Sequence, residues 1–91
     1  MEELIELRKK LDIIDKELAG LFEKRMEIIE KVRICKLKNN LPILDSNREK
    51  SMKENNNLYI KDKKFVPYYE EYLKTITTLS KKYMQDINNK N

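Results

Sequence analysis

The chain has 91 residues, of which 40% are charged, with a formal net charge of +4, three Gly or Pro positions, one Cys and no His. This composition favours helices over a sheet or a disordered tail. The missing histidine and the single cysteine exclude a Ser-His-Asp triad, a Cys-His pair, a disulfide framework and the usual zinc sites. The length suits one domain over residues 1–91, with a small core.

The first predicted element is a helix of about 55 Å from Glu2 to Lys38, at roughly 1.5 Å per residue. The chain has no proline before Pro42, and its only glycine, Gly20, does not end a helix. Positions alternate at spacings of three and four, which is a heptad seam: Leu4, Leu7, Leu11, Ile14, Leu18, Leu21, Arg25, Ile28, Val32 and Cys35. No domain of this size is that wide, so we expect much of the seam to pack against a second chain.

One seam position holds a cation, Arg25, where a leucine is typical. It either fixes the register and oligomeric state of the helices or is a buried cation that binds an anionic ligand. Lys36 follows eleven residues later and points almost the same way. Two cations on one inward face favour a ligand with more than one negative charge.

The rest of the chain predicts a short and a medium helix. A loop at residues 39–44 leads into a second helix, for which Ser46 and Glu49 form a possible capping box and Asp45 an alternative cap; we expect it to end near Lys61. A third helix begins near Pro67, and residues 88–91 form a polar tail that we expect to fray. Its seam holds one polar residue: Val66, Tyr69, Leu73, Ile76, Ser80, Tyr83 and Ile87.

The basic residues form no stripe with interleaved aromatic residues. The pairs at residues 9–10, 63–64 and 81–82 are interpreted as solvated lysines, so we expect no nucleic-acid partner. No apolar run could span a membrane, and the start, Met1-Glu2-Glu3, does not resemble a signal peptide. We therefore expect a cytoplasmic protein without a membrane partner.

The sequence reads L-R-K-K-L-D-I-I-D from Leu7 to Asp15 and P-I-L-D-S-N-R-E from Pro42 to Glu49, with Arg25 and Lys36 between them. This long pattern of fixed spacings resembles the all-helical chorismate mutases over nearly the whole chain. The resemblance implies an all-α intertwined antiparallel homodimer that converts chorismate to prephenate in aromatic amino-acid biosynthesis. That rearrangement is a pericyclic Claisen shift, so neither a cofactor nor a metal is expected.

The resemblance also implies the roles of the site residues. Arg8 and Arg25 would bind the substrate carboxylates, and Lys36 would meet the ether oxygen, where negative charge grows in the transition state. The rest of the site would bind substrate: Asp45, Arg48, Glu49, Ser80 and Met84. Arg8 lies about 25 Å from Arg25 along one helix, so Arg8 would have to come from an antiparallel partner chain.

Each residue also has an ordinary structural interpretation. Arg8 and Arg48 suit solvated helix positions, and Lys36 suits the negative end of a helix dipole. Asp45 and Glu49 suit a helix cap, and a serine in a helix can bond to its own backbone.

One position departs from the family pattern. The family usually has Gln or Glu four residues after the Ser80 position, where this chain has Met84 and then Gln85. A frame shifted by one would put Lys74, Thr77 and Lys81 in the seam, which the apolar pattern rejects. We therefore expect Met84 to face the site and the catalytic rate to be lower than in family members with Gln or Glu at this position.

Two other functions remain open. An isochorismate pyruvate lyase on the same fold also needs two arginines and a lysine, although the group Asp45, Arg48 and Glu49 favours the mutase because it meets the substrate hydroxyl. The second alternative is a non-catalytic helical dimer, either a regulator or a nucleic-acid binder. It stays open because the third helix has Met84 where the family usually has a Gln or Glu side chain.

Overall fold

The computed structural model describes residues 1–90, and the side chains of residues 1–89. It contains three α-helices, α1 (Glu2–Lys38), α2 (Ser46–Asn57) and α3 (Val66–Lys90), with a 3-10 turn at Lys63–Phe65 before α3. Residues 1–90 contain no strand, which confirms the predicted all-helical class with one very long, one short and one medium helix. The structure divides into two units, residues 1–32 and residues 33 onward.

Helix α1 has the bounds that the sequence predicts, Glu2 to Lys38. Its first turn carries Glu2 and Glu3, and its last turn carries Lys36 and Lys38. Negative charge at the N-terminus and positive charge at the C-terminus both oppose the helix macrodipole, so these residues stabilise the two ends.

The end of α1 is a Schellman motif. Asn40 adopts the left-handed region with φ 54°. The amide of Leu41 donates to the carbonyl of Lys36 at 2.8 Å, and the amide of Asn40 donates to that of Leu37 at 3.3 Å. Asparagine tolerates this conformation better than most non-glycine residues, so the motif satisfies two terminal carbonyls and turns the chain sharply before Pro42.

Helix α2 is capped by Asp45, whose Oδ1 accepts a hydrogen bond from the amide of Arg48 at 3.0 Å. The expected capping box between Ser46 and Glu49 is therefore wrong, because Ser46 is already the first helical residue. The helix ends at Asn57, four residues before the predicted end at Lys61. Three consecutive asparagines with low helix propensity close it.

Helix α3 begins with Val66 and contains Pro67 in its first turn, as predicted. The preceding 3-10 turn is capped by Asp62, whose Oδ1 accepts from the amide of Lys64 at 3.2 Å. The helix runs to Lys90, so the expected fraying from Asn88 is wrong for the described residues; Asn91 lies outside them. Asn88 instead accepts a hydrogen bond through Oδ1 from Nη1 of Arg33 at 3.0 Å.

The small core of the second unit lies along α3. Leu73, Ser80 and Met84 are 7%, 4% and 4% exposed, whereas Gln85 is exposed. This burial confirms the helical frame chosen from the apolar pattern.

The first unit has no buried residue, and most of its apolar seam is exposed. The exposed fractions of six seam residues lie between 43% and 60%: Leu7, Leu11, Ile14, Leu18, Leu21 and Ile28. Within one chain, this face of α1 has little of the packing that a heptad seam provides.

Candidate active site

Lys36 lies in the last turn of α1 and is half-buried. Its Nζ donates a hydrogen bond to the carbonyl oxygen of Ile43 at 2.8 Å. The Schellman turn makes this contact possible because it brings the following loop back towards the end of the helix. A lysine ammonium has three protons, so two remain for other acceptors.

The first turn of α2 and its cap hold three predicted site residues, Asp45, Arg48 and Glu49. Asp45 and Arg48 are exposed, and Asp45 caps the helix through its Oδ1. Asp45 therefore has the ordinary structural role of a helix cap. Its second carboxylate oxygen, Oδ2, takes no part in the capping hydrogen bond.

Glu49 joins α2 to α3. Its Oε1 lies 2.8 Å from Nζ of Lys81, and the two side chains are 37% and 28% exposed. Lys81 was expected to be a solvated lysine, which is wrong: it is half-buried and ion-paired, whereas its neighbour Lys82 is exposed. The sequence carried one weak signal for this, since Lys81 directly follows the predicted site residue Ser80.

Ser80 and Met84 lie one turn apart on α3 and are both buried. The hydroxyl of Ser80 donates to the carbonyl of Ile76 at 2.9 Å, which is the backbone contact expected of a serine within a helix. The thioether of Met84 offers only a weak acceptor and no donor. This segment thus supplies one hydroxyl but no side-chain amide.

Arg8 and Arg25 belong to the first unit, where Arg8 is exposed and Arg25 is half-buried. They are seventeen positions apart on one continuous helix. At about 1.5 Å per residue the separation is roughly 25 Å, so a small dianion cannot contact both arginines of one chain.

A groove of about 480 Å³ runs between α2 and α3. Its charged lining is balanced between three acids and three lysines: Glu49, Glu70, Glu71, Lys53, Lys74 and Lys81. These charges compensate one another in number, and Glu49 is the one predicted site residue in the lining. Within residues 1–90, no cluster of three or more Cys, Asp or Glu side chains could hold a metal ion.

Residues 7–85 match the family model described as chorismate mutase type II. The chain belongs to this family. The match includes every predicted site residue from Arg8 to Met84, so the family resemblance extends over all three helices.

Two proteins are similar to the chain in sequence. The chain is 34% identical over 90 residues to a bifunctional chorismate mutase/prephenate dehydratase of Aquifex aeolicus, covering 90% of this chain and 25% of that protein. It is 42% identical over 52 residues to a protein named T-protein of Haemophilus influenzae, covering 57% of this chain and 14% of that protein. The chain thus spans a quarter or less of the length of these relatives. No solved structure matches it significantly.

Residues 1–90 include no helix that is both long and apolar enough to cross a membrane.

Proposed function

We propose that this chain is a chorismate mutase that rearranges chorismate to prephenate in aromatic amino-acid biosynthesis. The observation that carries the proposal is the family match over residues 7–85. The name of the Aquifex aeolicus relative, which includes chorismate mutase, supports it.

The chemistry suits a site without histidine. The Claisen shift needs no obligatory proton transfer and no covalent intermediate. The protein has to hold the chair-like conformer and stabilise the charge that develops as the C–O bond breaks. Arginine, lysine and carboxylate side chains can do both.

The proposed roles follow the family pattern. Arg25 of one chain and Arg8 of the partner subunit bind the two carboxylates through bidentate guanidinium hydrogen bonds. Lys36 donates to the ether oxygen with a proton that Ile43 does not use. Glu49 accepts the hydrogen bond of the substrate hydroxyl, Asp45 and Arg48 shape that corner, and Ser80 and Met84 line the site from α3.

We also propose that the active form is an intertwined antiparallel homodimer with two shared sites. The support is the apolar face of the first unit, on which six large seam residues are exposed that a partner helix would cover. The proposed roles of Arg8 and Arg25 agree with this assembly, because roughly 25 Å separates the two residues on one helix and an antiparallel partner would bring its own Arg8 alongside Arg25. In this assembly residues 1–91 of each chain act as one domain, and the enzyme works in the cytoplasm.

The experiment that tests the function is an assay of chorismate consumption with chromatographic identification of the product. Isochorismate is assayed in parallel, with pyruvate as the readout. Formation of prephenate from chorismate supports the proposal. Release of pyruvate from isochorismate without prephenate formation would favour a lyase, and no reaction with either substrate would favour a non-catalytic dimer.

A further inference from the structure

The ion pair between Glu49 and Lys81 connects the first turn of α2 to the middle of α3. The atoms Oε1 and Nζ are 2.8 Å apart, and both side chains are more than half shielded from solvent. By contrast, the pairs Lys9–Glu6 and Lys64–Asp62 join neighbours in sequence and are more exposed. A partly shielded pair between two helices restricts both side chains more than an exposed pair does.

The two partners lie beside the residues to which the proposed function assigns substrate contacts. Glu49 directly follows Arg48 on α2, and Lys81 directly follows Ser80 on α3. Lys81 contacts Glu49 through Oε1 at 2.8 Å, which leaves Oε2 as the second acceptor oxygen of the carboxylate. One carboxylate oxygen is thus anchored, and the other can accept a hydrogen bond from a hydroxyl group.

Lys81 also compensates the negative charge of Glu49. An isolated Glu49 carboxylate would repel a dicarboxylate substrate, because like charges a few ångströms apart in a partly desolvated site interact strongly. Lys81 compensates that charge without occupying Oε2. The pair therefore presents a neutral acceptor to the substrate hydroxyl.

We propose that Lys81 is a positioning residue for substrate binding, which fixes Glu49 and neutralises it against the dianionic substrate. The inference rests on the proposed function, because it needs Glu49 to face the substrate. A hydrogen bond that Glu49 makes both to bound substrate and in the transition state contributes uniformly to binding. Loss of Lys81 should therefore appear mainly in KM and much less in kcat.

The test is a double-mutant cycle on the full chain, measured as steady-state conversion of chorismate to prephenate. Lys81→Met should raise KM about 10-fold and change kcat by less than about threefold, since uniform binding is lost. Lys81→Arg should keep KM within about threefold, because it retains the cation. In a Glu49→Gln background, Lys81→Met should change KM by less than about twofold, because the carboxylate on which it acts is gone.

Lys82→Met is the matched control for the loss of one positive charge, since Lys82 is the exposed neighbour of Lys81. Equal effects of Lys81→Met and Lys82→Met on KM would overturn the inference. So would an equal effect of Lys81→Met in the wild-type and Glu49→Gln backgrounds, which would show that Lys81 acts independently of Glu49.

Thermal melts followed by circular dichroism accompany every variant. If Lys81→Met fails to fold, Lys81→Gln replaces it, with the same expected rise in KM. Absence of mutase activity in the wild-type protein would refute the proposed function and the role of Lys81 together. An active wild-type protein with unchanged KM in the folded Lys81 variants would refute the role of Lys81 alone.

Discussion

The Nζ of Lys36 donates a hydrogen bond to the carbonyl oxygen of Ile43, 2.8 Å away, across the turn that ends α1. The same lysine supplies the backbone carbonyl that accepts from Leu41 in the Schellman motif. Backbone and side chain of Lys36 therefore both bond to the segment that follows the helix. A cation held in this way is already oriented when an anionic ligand arrives, which is the condition for effective electrostatic stabilisation of a transition state.

Replacing Lys36 with alanine should reduce kcat by about 100-fold or more, because it removes a donor aimed at developing negative charge. Loss of the bond to Ile43 should lower the free energy of unfolding by only about 1 kcal/mol. Steady-state kinetics and a denaturant titration measure the two effects. Lys38→Ala, at an exposed position one half-turn on, is the control and should retain nearly full activity. Near-normal turnover of Lys36→Ala would refute the role assigned to this residue.

Replacing Met84 with glutamine should raise kcat by about 10- to 100-fold, because the amide adds a donor for the ether oxygen. Met84 is only 4% exposed, so the amide should lower the free energy of unfolding by about 1 kcal/mol or more in the absence of substrate. Gln85→Ala changes an exposed neighbour and should have little effect on kcat. The reverse pattern, an inactive Gln85→Ala and an unchanged Met84→Gln, would contradict the frame in which α3 meets the substrate.

Replacing Leu18 with lysine should dissociate the proposed dimer, because it places a charge in the middle of the apolar seam of α1. Sedimentation at micromolar concentration should show loss of the dimer, together with loss of helical signal if the monomer does not fold alone. Glu23→Lys is the control, since the heptad pattern puts Glu23 on the side of α1 opposite to the seam. A folded wild-type monomer at that concentration would rule out an obligate dimer.

The sequence predicted α1 and the frame of α3 well because both depend on local and periodic signals. An uninterrupted heptad pattern and a following proline define α1, and the apolar spacing around Ser80 separates Met84 from Gln85. The cap of α2 was less certain because Asp45 and Ser46 are adjacent and both are good capping residues.

The contacts that sequence could not predict join distant positions. Glu49 was available for a capping box by its spacing, but it pairs with Lys81, 32 positions away, once α2 and α3 pack together. Asn88 was assigned to a frayed tail, yet it accepts a hydrogen bond from Arg33, 55 positions away. Neither pairing follows from local propensity, because both depend on how the helices of the second unit meet.

The shared site is tested most directly by mixing two inactive homodimers, Arg8→Ala and Arg25→Ala, and measuring prephenate formation after subunit exchange. In a mixed dimer, one site contains Arg25 of one chain and Arg8 of the other, and the second site lacks both arginines. Random exchange should therefore restore about a quarter of wild-type activity, because half of the dimers are mixed and each has one intact site. Exchange verified by mass spectrometry without any return of activity would contradict the antiparallel shared-site assembly.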